Sequence, residues 1–202
     1  QQIVKPADVI IDLHGGDLDE DLRPYSYWTR TGRAVQDSAS RALVLAFGLN
    51  LIIVRDLDTG NPASIRSLSS YSLSLGKTAI VAEAGRSGLV LTDDLAALTE
   101  GSLNALAALK MIDRPVNPVE HPVWVDGGAR VAADSAGMFF ATVGRGTIVA
   151  EGMKVGYTTD YLGRTTGEVR SPAAGVVTFI RGVPSAWRGA TLVAVSRVLV
   201  EV

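Results

Sequence analysis

Apolar and polar positions alternate in two different textures along the chain. Up to about residue 112, apolar runs of strand length are interleaved with longer amphipathic stretches. "DVIIDL" (8–13) is a continuous apolar run suited to a strand buried on both faces. "DSASRALVLAFG" (37–48) opens on Asp and Ser, carries an apolar stripe of helical length and stops at glycine, so it predicts a helix. "LNLIIV" (49–54) predicts a second strand, "SIRSLSSYSLSLG" (64–76) a serine-rich helix and "KTAIVAE" (77–83) a third strand. "TDDLAALTEGSLNALAALKMI" (92–112) predicts a helix capped by Thr or Asp, with two acids in the first turn where the helix dipole favours them. Alternating β and α elements argue for a mostly parallel sheet covered by helices.

The texture changes at "IDRPVNPVEHPVW" (112–124), which holds Pro115, Pro118 and Pro122 out of eight prolines in all. Proline fixes φ and biases the preceding residue toward extended backbone, so this segment predicts a stiff linker. Beyond it come short alternating runs such as "GTIVAEGMKVGYTT", "GEVRSPAAGVVTFI" and "ATLVAVSRVLVEV", broken by glycine and proline. These predict a small all-β domain, a sandwich or barrel of short strands. The expected organisation is an α/β domain over 1–113, a linker over 114–122 and an all-β domain over 123–202.

Composition narrows the function classes. At 202 residues and 47% hydrophobic, the chain can bury a sizeable core. No run of eighteen apolar residues occurs, so no membrane-spanning helix is expected. The start, "QQIVKPADVIIDLH", has none of the features of a secretory signal. Net charge is −2 and the 19 basic residues are dispersed, which argues against nucleic acid as a partner. Cysteine is absent, which removes disulfides, thiol nucleophiles and cysteine-based zinc sites. The compartment stays open, with the cytoplasm favoured. Any metal must be held by carboxylates and the two histidines.

In an open α/β sheet, ligands bind beyond the carboxyl ends of the strands. His14 ends the first predicted strand and Glu83 the third, and glycines follow each, in "HGG" and "EAGRSG". Side chains alternate along a strand, so Asp12 and His14 project from one face. Asp12 can fix one imidazole nitrogen and leave the other for a metal, as second-sphere carboxylates do for zinc histidines. A histidine satisfied by that same hydrogen bond, with no metal at all, is equally consistent with these residues.

"ADVIIDLHGGD" followed by "GKTAIVAEAGRSG" resembles the core of the succinylglutamate desuccinylase/aspartoacylase family. The tail from "HPVWVDGGARV" through "SPAAGVVTFI" is similar to that family's β domain. The resemblance implies a partial carboxypeptidase-like α/β domain followed by a barrel-sandwich-like β domain. It further implies a zinc-dependent hydrolase that cleaves the N-acyl amide of a small acylated amino acid. His14 then matches a zinc ligand, Asp12 its brace, and Glu83 the general base and acid. The family's first two ligands come from an earlier His-x-x-Glu motif, which this chain lacks. His121, in "VEHPVW", has no glutamate at that spacing. The expectation is therefore the C-terminal portion of a longer enzyme with an incomplete zinc site. The sheet edge left bare would invite pairing with a second copy.

Other residues have weaker claims. Residues 17–28, "DLDEDLRPYSYW", are expected to be an acidic loop or a lid, with Tyr25, Tyr27 or Trp28 touching substrate or merely anchoring the loop. Arg66 and Arg86 could grip a substrate carboxylate or be surface charges. Tyr161 is the polar aromatic to watch in the β domain. "GRSG" around Ser87 lacks the G-x-S-x-G pattern of a nucleophile elbow. Two rival classes remain. One is a binding or assembly fragment that keeps the fold without catalysis. The other is a biotinyl or lipoyl carrier, for which Lys154 stands before the hairpin rather than at its tip.

Overall fold

The computed structural model describes residues 2–200 and 202. The chain forms two compact units. The first contains residues up to His14, Tyr25–Glu83 and Thr92–Trp124; the second contains Gly15–Pro24, Ala84–Leu91 and Val125–Val202.

The first unit holds β1 (Val9–His14), β3 (Leu51–Asp56) and most of β2 (Glu20–Arg30), β4 (Thr78–Arg86) and β5 (Val123–Val125). Their hydrogen-bonded order is β1-β4-β2, with β3 beside β2 and β5 beside β3. The pairs β1–β4 and β2–β3 are parallel, and β1 ends the order. Leu51–Val54 and Ala79–Ala82 are buried without alternation, as strands covered on both faces should be. The helix α2 (Leu68–Ser74) covers one face, where Leu73 packs with Ile10 and Ala79. Trp28 projects from the other face and donates its indole N–H to the Asp37 carbonyl of α1 (Ala34–Phe47). Next to α1 lies α3 (Thr92–Ala108), which reaches it through Gly101 against the Phe47 ring.

Local chemistry explains where these elements differ from expectation. The stop at Gly48 is as predicted, with φ of 101° in the left-handed region. The serine-rich helix is much shorter than residues 64–76, because its serines make competing local bonds. Ser67 and Ser70 form a reciprocal capping box that starts the helix at Leu68. Ser64 instead donates to the carbonyls of Asp58 and Asn61, beside a 3₁₀ turn at Pro62–Ser64. The largest correction concerns residues 17–28. Most of this stretch is strand rather than loop or lid, with Leu22, Tyr25, Ser26 and Trp28 buried along β2.

The second unit is all β. The strands are β6 (Ala129–Ala132), β7 (Gly137–Ala141), β8 (Ile148–Val149), β9 (Lys154–Thr159), β10 (Thr165–Arg170), β11 (Gly175–Arg181), β12 (Ser185–Ala186) and β13 (Thr191–Ser196). One sheet has the order β10-β9-β7-β12. In the other, β11 pairs with β13 and β8, and Glu20–Leu22 at the start of β2 pairs antiparallel with β11. Phe139, Val155 and Val169 from the first sheet pack with Val177, Ile180, Val193 and Val195 from the second. Arg181 is almost fully buried. It donates to the Ser185 carbonyl at 2.6 Å and pairs with Asp19 at 2.6 Å. No helix is long and apolar enough to cross a membrane among the described residues.

The contact between α1 and α3 makes a direct prediction. A Cβ on Gly101 would lie 2.1 Å from the Phe47 ring, which is buried. Gly→Ala inside a helix ordinarily gains about 1 kcal/mol of propensity, but overpacking a core costs about 1–3 kcal/mol. Gly101→Ala should therefore lower the thermal midpoint, and Gly101→Ala with Phe47→Leu should recover part of the loss, read by calorimetry.

Candidate functional site

The parallel register of β1 and β4 sets His14 opposite Glu83 and Asp12 opposite Val81. Residues paired across a ladder share a face, so His14 and Glu83 are lateral neighbours on the sheet surface, with Asp12 two positions behind. His14 Nε2 lies 3.2 Å from Asp12 Oδ1; the imidazole is half exposed and the carboxylate mostly covered, at 50% and 17%. The Asp12 carboxylate thus stands against one imidazole nitrogen. The imidazole sits in neither hydrocarbon nor open solvent.

The same face continues across β2 and β3. Tyr25, only 6% exposed, donates its hydroxyl to Glu83 Oε2 at 2.9 Å. Tyr27 donates to the Tyr25 hydroxyl at 3.3 Å, and their rings meet edge to face. Arg55 Nη2 donates to the Tyr27 hydroxyl at 2.8 Å, with the guanidinium over the Tyr27 ring. Tyr27 pairs with Ile53, which places Arg55 on the same face one step diagonally away. A polar line therefore crosses the sheet from Asp12 and His14 through Glu83, Tyr25 and Tyr27 to Arg55. Burial, reinforced by Tyr27 and by the negative charge of Glu83, pushes the Tyr25 phenol far above its usual pKa.

Gly85, two residues beyond Glu83, has a steric use. A Cβ on Gly85 would lie 1.5 Å from the Gly15 carbonyl oxygen, so the two chain segments leaving His14 and Glu83 approach each other as closely as backbone allows.

The remaining sequence candidates fall elsewhere. Arg66, at the approach to α2, donates Nε to the Ala63 carbonyl at 2.7 Å. Arg86 and Tyr161 belong to the second unit. Arg86 ends β4 and lies 3.4 Å from Asp21. Tyr161 is exposed in the β9–β10 turn, where the Asp160 carboxylate accepts the backbone N–H groups of Leu162 and Arg164. Lys154 starts β9 and pairs with Glu168 at 2.9 Å, away from that turn. Ser87 has φ of 49°, and its hydroxyl is buried without a hydrogen-bond partner. Trp28 is buried against α1 and Tyr25 is bound to Glu83, so neither behaves as part of a lid. Arg55 was not foreseen; its place in the line depends on the β2–β3 register, which the sequence does not display.

The donor set can be tested against zinc. A catalytic zinc needs three protein ligands and an open position. Among the described residues no group of three or more His, Cys, Asp or Glu is placed to hold a metal ion. His14 with its Asp12 brace supplies one imidazole, and this does not make a zinc site by itself.

Solved structures give the wider context. The chain superposes with TM-score 0.87 on a succinylglutamate desuccinylase from Silicibacter sp. TM1040, at 20% identity, covering 98% of this chain and 60% of that one. The product-bound ectoine utilization protein EutE (DoeB) from Ruegeria pomeroyi gives 0.85 at 18% identity, with 98% and 60% covered. The succinylglutamate desuccinylase/aspartoacylase from Rhodobacter sphaeroides gives 0.84 at 20% identity, with 98% and 61% covered. The chain has the fold of the succinylglutamate desuccinylase/aspartoacylase structures. It spans about three fifths of the length of these desuccinylase/aspartoacylase-fold chains. No protein-family model and no curated protein matches the sequence.

The buried phenol predicts a pH effect. Above about pH 10 an unfolded tyrosine loses its proton while Tyr25 keeps it, so the folded state binds more protons and stability falls as pH rises. Tyr25→Phe should lessen the alkaline loss of stability above about pH 10, measured by urea unfolding at pH 9 and pH 11. Absorbance titration should leave at least one tyrosine un-ionised until the chain unfolds.

Proposed function

We propose that the chain supplies the acid–base part of a deacylase that hydrolyses the N-acyl amide of an acylated amino acid or a similar small molecule. The observation that carries this reading is the lateral pairing of His14 with Glu83 at the ends of two parallel strands. Glu83 takes a proton from the attacking water and passes it to the nitrogen of the leaving amine as the amide C–N bond breaks, giving a carboxylate and a free amine. Asp12 holds the imidazole of His14 in one orientation. Arg66, in the unit that holds Glu83, is the candidate for a substrate carboxylate. A desuccinylase and an aspartoacylase-family protein among the solved chains of like fold support an amide substrate. The same likeness supports a carboxypeptidase-like α/β part and a barrel-sandwich-like β part, corresponding to the C-terminal portion of a longer enzyme.

Zinc, which the family resemblance implies, needs donors beyond His14. The chain alone should bind it weakly and through His14, so that His14→Ala abolishes what binding equilibrium dialysis detects. Tight stoichiometric zinc would show that the ligands lie elsewhere. Fusing an upstream segment that carries His-x-x-Glu should raise the affinity greatly. A second reading, an assembly fragment without catalysis, is favoured by the lack of a three-donor group among the described residues. Amine release from N-succinyl and N-acetyl amino acids, measured on the chain fused to that upstream segment, decides between them. Glu83→Gln should reduce a genuine turnover by about 10²–10⁴-fold, whereas a fragment gives none to reduce.

We also place self-association at β1, which ends the strand order of its sheet and has Leu13 47% exposed. Sedimentation velocity should show a concentration-dependent dimer that Leu13→Lys shifts toward monomer.

A further inference from the structure

We infer that Arg55, Tyr27 and Tyr25 form a relay of aligned hydrogen bonds that sets the orientation of the Glu83 carboxylate, with Tyr25 as its positioning residue. The inference rests on the proposed role of Glu83 as base. Its physical content is the direction of the three donors. Arg55 gives to Tyr27, Tyr27 to Tyr25 and Tyr25 to Glu83 Oε2, at 2.8, 3.3 and 2.9 Å. Each phenol oxygen thus accepts one hydrogen bond and donates one in the same sense. Bonds aligned in this way polarise one another, more strongly in a low-dielectric interior than in water. The line begins on a cation and ends on a carboxylate, so both ends reinforce its direction.

Burial makes the arrangement stiff. Tyr25 is 6% exposed, and its ring is held edge-on by Tyr27 at 5.2 Å between centroids. The Tyr27 ring lies under the Arg55 guanidinium, 3.7 Å from ring centre to Cζ. Reversing the Tyr25 hydroxyl would remove the donor from Glu83 Oε2 and leave two lone-pair oxygens facing each other. It would also displace the bond from Tyr27. The relay therefore pins Oε2 as an acceptor and fixes the plane of the Glu83 carboxylate. A carboxylate held in this way meets a water in a fixed geometry, and such positioning contributes to rate without contributing to substrate affinity.

The relay predicts that Arg55, an exposed residue two strands away, acts on Glu83. The probe is the ¹³C resonance of the Glu83 side-chain carboxylate in the full chain labelled at glutamate Cδ, assigned by its loss in Glu83→Gln. Tyr25→Phe should move that resonance, and Arg55→Met should move it the same way by less. Arg55→Lys, which retains a cationic donor, should restore most of the wild-type position. Arg55 lies on the surface, so its variants test the relay even if Tyr25→Phe folds poorly. A resonance unmoved by Arg55→Met overturns the relay.

The kinetic arm is separate. With an N-acyl amino acid as substrate, Tyr25→Phe should lower kcat about tenfold with KM unchanged, the size expected for one hydrogen bond to a charged group. A KM effect of that size with kcat intact overturns the positioning role. Absence of turnover in the chain fused to an upstream segment that carries His-x-x-Glu overturns the deacylase reading, and the resonance shifts alone then decide whether the relay orients Glu83.

Discussion

The parallel ladder between β1 and β4 is the constraint on which the site depends. Side chains alternate along a strand, so a slip of one residue would turn His14 or Glu83 to the opposite face. The register that holds them together is set by burial. Ile10 and Ala79 pair within it and pack with Leu73 on the face covered by α2. Hydrocarbon at one end of the strands thereby determines which polar groups meet at the other. Gly85 continues the effect, since only a residue without Cβ at that position lets its backbone pass so close to the Gly15 carbonyl.

Much of this was legible in the sequence, for definite reasons. "TAIVA" is apolar without alternation and its strand is covered on both faces, whereas in "VIIDL" Ile10 alone is buried, because β1 ends the strand order. Polar residues at their ends therefore marked the face where the cover stops. Asp12 and His14 could be placed together because their separation of two is the strand period. The glycine at residue 48 was readable as a stop because the left-handed conformation favours glycine.

The rest was hidden in long-range pairing. The β2 sequence begins with carboxylates, arginine and proline, which resemble a loop when taken locally. It becomes a strand because its first residues pair with β11 and its later ones with β3. Tyr25 and Tyr27 then point to the Glu83 face, and Arg55 joins them by the register of a different pair. The serine-rich segment misled for the opposite reason. Its helical length was genuine as a spacing, but the hydroxyls bind nearby backbone and cut the helix to seven residues.

The ion pair between Asp19 and Arg181 joins positions 162 residues apart. The segment that carries Asp19 must wait for all the residues up to Arg181 before this pair can form. Contacts of such long range slow folding, because a large loop must close before any interaction rewards it. During synthesis the second unit cannot complete its packing until β11 has been made, and a chain interrupted before that point would lack Arg181, the cation that Asp19 pairs with.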